Sequence, residues 1–141
     1  MEFKDKHIYL IFTAQHLLKN YLIKTLKENG IRITPAHSTI LFLLEKNNPQ
    51  TMTDLSQALH LDNSTITGLI DRLEKSSFVE RIDHPNDRRK WSVSILKEGL
   101  DEIARARIVI GRINKEIESG FSKEELTVLQ RILGCFTKKF I

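Results

Sequence analysis

The sequence predicts a mainly α fold carrying one small antiparallel β-hairpin, and three observations lead there. Two amphipathic segments, one through Leu55 and Leu59 and one over Ser64–Lys75, meet at a short break at His60–Asn63. Two strand-like runs, Phe78–Ile82 and Trp91–Leu96, then flank a charged loop running from His84 to Lys90. Long apolar-periodic segments stand at both ends of the chain. Helix, turn, helix and a basic-tipped hairpin is the layout of a winged helix-turn-helix, flanked here by N- and C-terminal helices, and that layout predicts duplex DNA as the partner.

The first helix spans about Asp5 to Glu28, because Ile8, Ile11, Leu18, Leu22 and Leu26 recur at steps of three, four and seven. Asn29-Gly30 stops it, with Gly30 free to take the left-handed conformation after a helix end. Thr34-Pro35 opens the next helix as cap and first residue, Ile40, Leu41, Leu43 and Leu44 give its buried side, and Asn47-Asn48-Pro49 ends it. Thr51 with Asp54 is a capping pair for a short helix ending at Leu59. Asp62 or Asn63 caps the following helix, whose Ile66, Leu69, Ile70 and Leu73 form a complete apolar stripe. That stripe turns Ser64, Thr65, Thr67, Gly68, Asp71, Arg72 and Lys75 outward. In the second strand Trp91, Val93 and Ile95 alternate with Ser92 and Ser94, a half-buried pattern. Another long helix runs from about Leu100 to Glu118, Ser119-Gly120 breaks it, and Ser122 with Glu125 is a capping box for a last helix to about Lys138.

With 141 residues, 40% of them hydrophobic, the chain fits one domain over 1–141 with a sizeable core. The net charge of +4 is only mildly basic, so nucleic-acid contact must rest on local patches. Between Leu61 and Lys90 six acids balance six bases, yet Arg88, Arg89 and Lys90 fall together on one tip. The single cysteine, Cys135, excludes an intrachain disulfide and a multi-cysteine metal site; lying between Leu133 and Phe136, it reads as a buried, inert thiol. No apolar run approaches the ~20 residues of a membrane span. The start of the chain leads into an amphipathic segment rather than a cleavable signal, so the expected compartment is cytoplasmic. No Gly-rich phosphate loop, no Gly-x-Ser-x-Gly elbow and no paired His/acid set is present, so nothing argues for an enzyme. The five histidines show no metal spacing, so neither metal nor cofactor is expected; His37 and Ser38 lie at a helix start able to touch phosphate, but His37 reads as surface.

The candidate DNA surface has two parts. A helix fits the major groove with its first turns at base edges. Ser64, Thr65 and Thr67 offer hydroxyls there, Gly68 adds no bulk, free N–H groups at the helix start suit a phosphate, and Arg72 reaches guanine or phosphate. At the hairpin tip Pro85-Asn86-Asp87 is turn chemistry, Arg88 and Arg89 suit the negative potential of a narrow minor groove, and Lys90 beside them completes the DNA-binding tip. The terminal helices carry more apolar surface than a small winged helix needs. Ile8 and Ile11 in the first, and Leu126, Leu129, Leu133, Phe136 and Phe140 in the last, read as a subunit interface.

These residues resemble the MarR (multiple antibiotic resistance regulator) family. The wing, Asp87-Arg-Arg89-Lys-Trp-Ser-Val93-Ser-Ile95-Leu96-Lys-Glu-Gly99, is similar to that family's Asp-x-Arg-x-x-x-Val-x-Leu-Thr-x-x-Gly pattern. Thr65–Lys75 resembles its recognition helix, Val79-Glu80-Arg81 the strand after it, and Thr34-Pro35 the start of its second helix. Ile95 stands in place of leucine, Leu96 in place of a capping threonine, and Ser77 in place of the glycine that follows the recognition helix. The resemblance implies dimerisation helices over about 5–30 and 100–141 around a winged helix-turn-helix over about 34–99. It implies a homodimeric transcription regulator, most often a repressor, with two recognition helices in successive major grooves of a pseudo-palindromic operator. It also implies release by a small lipophilic or phenolic effector; no membrane partner is expected, because no apolar run is long enough for a span. The alternative, a winged helix that docks proteins without specific DNA binding, is set apart by indifference to duplex sequence.

Overall fold

A computed structural model describes residues 2–84 and 87–141, without the side chains of His84 and of 87–90. After a single 3-10 turn, Phe3–Asp5, the chain runs α1 (His7–Glu28), α2 (Pro35–Lys46), β1 (Gln50–Thr51), α3 (Met52–Leu59), α4 (Asn63–Lys75), β2 (Val79–His84), β3 (Asp87–Ile95), α5 (Lys97–Glu118) and α6 (Lys123–Lys139). The three strands form one antiparallel sheet in the order β1-β3-β2. β3 pairs along its length with β2, Val79 opposite Ile95 and Arg81 opposite Val93, while β1 meets it only at Val93 and Ser92. The two-residue β1 escaped the sequence reading because so short a strand shows no alternation. The sequence placed the start of α5 three residues late.

The helix ends follow local chemistry. Thr34, Thr51, Asp62 and Ser122 each accept a backbone N–H three residues on, and at Thr34, Thr51 and Ser122 the reciprocal bond completes a capping box. At the end of α1, Gly30 takes φ +73°, Gly30 N–H donates to Lys27 O and Ile31 N–H donates to Leu26 O. The end of α4 repeats this pair, Ser77 N–H to Glu74 O and Phe78 N–H to Leu73 O, with Ser77 at φ +61°. Ser77, standing where the resemblance expects glycine, thus takes the same left-handed conformation and the same two hydrogen bonds as Gly30.

The chain forms two compact units, Met1–Val109 and Ile110–Ile141. In the first, α4 lays Ile66, Ile70 and Leu73 into a core shared with Leu26, Leu41, Leu44, Leu55, Phe78, Val93 and Ile103. Burying each of the three stabilises by about 1.5–3 kcal/mol, which fixes the face that α4 leaves to solvent. Gly99 is required by packing, because a Cβ there would collide with the Phe78 carbonyl oxygen and lie 2.9 Å from Ile95 Cγ1. Glu102 of α5, 1% exposed, accepts from the Arg32 backbone N–H at 3.3 Å and from Arg105 at 3.0 Å. The Arg32 guanidinium lies 4.7 Å from the centre of the Phe78 ring.

The second unit holds the end of α5 and all of α6. No residue of α6 is buried: Leu129, Leu133 and Phe140 are exposed, and Leu126, Cys135 and Phe136 are half-buried. The free thiol of Cys135 is thus less enclosed than the sequence pattern predicts. Among the described residues no helix is long and apolar enough to cross a membrane.

Candidate nucleic-acid interface

The α4 stripe that enters the core leaves Ser64, Thr65, Thr67, Gly68, Asp71, Arg72 and Lys75 exposed on one convex face. A Cβ at Gly68 would meet nothing within 4 Å, so the middle of that face is open to whatever approaches it. Its start differs from the expectation of free N–H groups. Asp62 Oδ1 accepts from Thr65 N–H at 2.7 Å and from the Ser64 hydroxyl at 2.8 Å. The Thr65 N–H, foremost, with the Thr65 and Ser64 side chains, holds the Asp62 carboxyl below the usual aspartate value. A carboxylate occupying the helix start repels a phosphate there. The Thr67 hydroxyl donates to Asn63 O at 2.8 Å. With their protons committed inside the helix, Ser64 and Thr67 face outward as acceptors, which suits amino groups on base edges better than phosphate oxygens.

Arg81 on β2 fixes α4 against the sheet. Its guanidinium pairs with Asp71 and stands 3.9 Å from Glu74, and its N–H donates to Glu74 Oε2 at 3.3 Å. Sequence reasoning missed this role, although an arginine ten residues after an aspartate in a helix–strand pair was there to be read. Trp91 also departs from expectation: it is 50% exposed, because it lies one residue past the β1 ladder that buries Ser92 and Val93. With Thr51, Met52, Thr53, Asn63, Thr67 and Arg81 it lines a cleft of about 500 Å³ beside α4. The backbone of β3 carries Arg88, Arg89 and Lys90, whose side chains, like Pro85 and Asn86 entirely, lie outside the described residues.

His37 corrects the sequence reading, since it is 94% buried rather than surface (6% exposed). As third residue of α2 it completes the capping box: Nδ1 accepts from Thr34 N–H at 3.3 Å, and His37 N–H donates to Thr34 Oγ1 at 3.4 Å. Burial first, and the Arg72 charge second, lower its pKa from the usual 6.5. Within this first unit Ile8 is exposed and Ile11 half-buried on α1, among further exposed apolar residues such as Leu10 and Phe12.

Known proteins bear on this geometry. A sequence model described as MarR family matches residues 33–91, the span from the start of α2 to the wing. The HTH-type transcriptional regulator YsmB of Bacillus subtilis is 31% identical over 105 residues, 74% of this chain and 72% of its own. The HTH-type transcriptional regulator BilQ of Clostridioides difficile is 26% identical over 137 residues, 94% of this chain and 91% of its own. Among solved structures the transcriptional repressor CouR, bound to a 23-mer DNA duplex, is similar in fold: TM-score 0.87 at 20% identity, over 95% of this chain and 94% of that one.

Proposed function

The chain belongs to the MarR family of transcription regulators, and from that premise we propose that it is a sequence-specific repressor that binds a pseudo-palindromic operator as a homodimer. The observation that carries this reading is α4: an exposed polar face with an open centre at Gly68, backed by buried Ile66, Ile70 and Leu73 and pinned to the sheet by Arg81. Ser64, Thr65, Thr67 and Gly68 are the base-facing part, Arg72 reaches guanine or phosphate, and Arg88, Arg89 and Lys90 of the wing add minor-groove or phosphate contacts. CouR, of similar fold, is a repressor seen on DNA.

The dimer part rests on uncovered apolar surface. Phe140 is 76% exposed and Ile8 66%, and all of α6 lacks a buried residue. Apolar area on that scale is covered in solution, and a second copy offering the same α1 and α6 residues closes it with two-fold symmetry. Ile8, Ile11, Leu126, Leu129, Leu133, Phe136 and Phe140 form that interface. The reading includes a small lipophilic or phenolic effector, for which a cleft of about 500 Å³ has room.

The experiment is binding of the purified chain to duplex from its own upstream region against random duplex, over a salt series. Tight, sequence-dependent binding with a steep salt slope is expected. Weak binding indifferent to sequence overturns the repressor reading and leaves a winged helix that docks proteins.

A further inference from the structure

The polar face of α4 has two ends of opposite hydrogen-bonding character. At its start stand Asp62, Ser64 and Thr67, all exposed. The Ser64 hydroxyl donates to Asp62 Oδ1 at 2.8 Å, and the Thr67 hydroxyl donates to Asn63 O at 2.8 Å. A hydroxyl has one proton, so each of the two turns only lone pairs outward. The Asp62 carboxylate, which also accepts from the Thr65 N–H at 2.7 Å, adds negative charge beside them. That charge repels phosphates and the acceptor atoms of bases alike, and attracts amino hydrogens. Arg72, five residues beyond Thr67, carries donors only.

On the reading of α4 as the base-facing helix, we propose that Ser64 and Thr67 are specificity-determining acceptors, each taking a hydrogen bond from an exocyclic amino group, adenine N6 or cytosine N4, in the major groove. Side chains this short reach a base edge only where the helix backbone comes close. Gly68, at which an added Cβ would meet nothing within 4 Å, leaves that approach open. Ser64 and Thr67 stand about 4.5 Å apart along the helix axis, near the ~3.4 Å step of stacked bases, so they meet neighbouring base pairs. Guanine O6 and N7, or a phosphate, fall to Arg72 at the other end. The opposed ends fix the direction in which α4 lies along each half-site. A hydroxyl that donated to a base would first give up its bond to Asp62 or Asn63, which offsets the gain.

The test begins with selection of the preferred site by the full chain from random-sequence duplexes. In that site each adenine is replaced singly by purine and each cytosine by 2-pyrimidinone, which lack the amino group. Each guanine or adenine is also replaced by its 7-deaza analogue, which lacks the N7 acceptor. Loss of the amino group at one position of each half-site is expected to weaken wild-type binding about 3–10-fold and to leave binding by Thr67→Val unchanged. A neighbouring position behaves in the same way with Ser64→Ala. Both side chains are exposed, so the variants fold, and circular dichroism checks that. Coupling of Thr67→Val and Ser64→Ala to the 7-deaza positions instead, or to no analogue at all, overturns the acceptor assignment and leaves sequence-specific binding standing. If no sequence is selected, base reading by α4 falls, and its acceptors with it.

Discussion

Ser77 is the one residue of the α4 turn whose side chain opposes its backbone. At φ +61° it sits in the left-handed region, where an L-residue pays about 1–2 kcal/mol. It is exposed, and its hydroxyl makes no hydrogen bond among the described residues, so glycine would remove the strain and nothing else. Against that gain, glycine is more disordered when unfolded, which costs back about 0.5–1 kcal/mol. Ser77→Gly is therefore expected to stabilise the protein by about 0.5–1 kcal/mol, roughly 2–4 °C in Tm for a chain of this size. Gly30 provides the opposite control: it carries the same two hydrogen bonds at φ +73°, and an added Cβ meets nothing within 4 Å. Gly30→Ala is expected to lose about 1 kcal/mol through the backbone alone. Urea denaturation of both variants at one fixed protein concentration, which holds dimer mass action constant, measures the pair. A destabilised Ser77→Gly, or a shift of the same sign in both, would refute the reasoning.

Three other perturbations follow from the same packing. Gly99→Ala places a methyl against the Phe78 carbonyl group and is expected to cost about 1–3 kcal/mol in urea melts, since the obstacle is backbone; wild-type stability would contradict this. His37 is held neutral below its usual 6.5, so the unfolded chain binds the extra proton, and stability falls as pH drops through 6.5 toward the lower folded value. His37→Gln should flatten that part of the stability–pH curve, and an unchanged slope would show that the ring's pKa is not lowered in the folded chain. Leu133→Glu, on the exposed stripe of α6, should turn a dimer into a monomer in sedimentation and weaken operator binding with it; a retained dimer would move the interface elsewhere.

Most of the fold was legible because its signals are local. Thr34, Thr51, Asp62 and Ser122 cap where hydroxyls or carboxylates precede an apolar stripe, and the i, i+3, i+4, i+7 pattern at Ile66–Leu73 fixed the exposed face of α4. What escaped depends on distant partners. Trp91 follows the alternation of its strand but lies past the β1 ladder, a fact set by a two-residue strand forty residues earlier. His37 looked like surface because its burial comes from the capping box and from neighbours on α4, not from its own helix pattern. The Asp62 cap was legible, but not its consequence, that Ser64 and Thr67 spend their protons inside the helix and turn acceptors outward.

The central claim is that two copies of α4, related by two-fold symmetry, read one duplex. Hydroxyl-radical footprinting on the upstream region, with sedimentation of the complex, tests it most directly. The account requires two chains per duplex and two protected stretches centred about 10–10.5 base pairs, or a multiple, apart. One protected stretch, or a single chain per bound duplex, would contradict it.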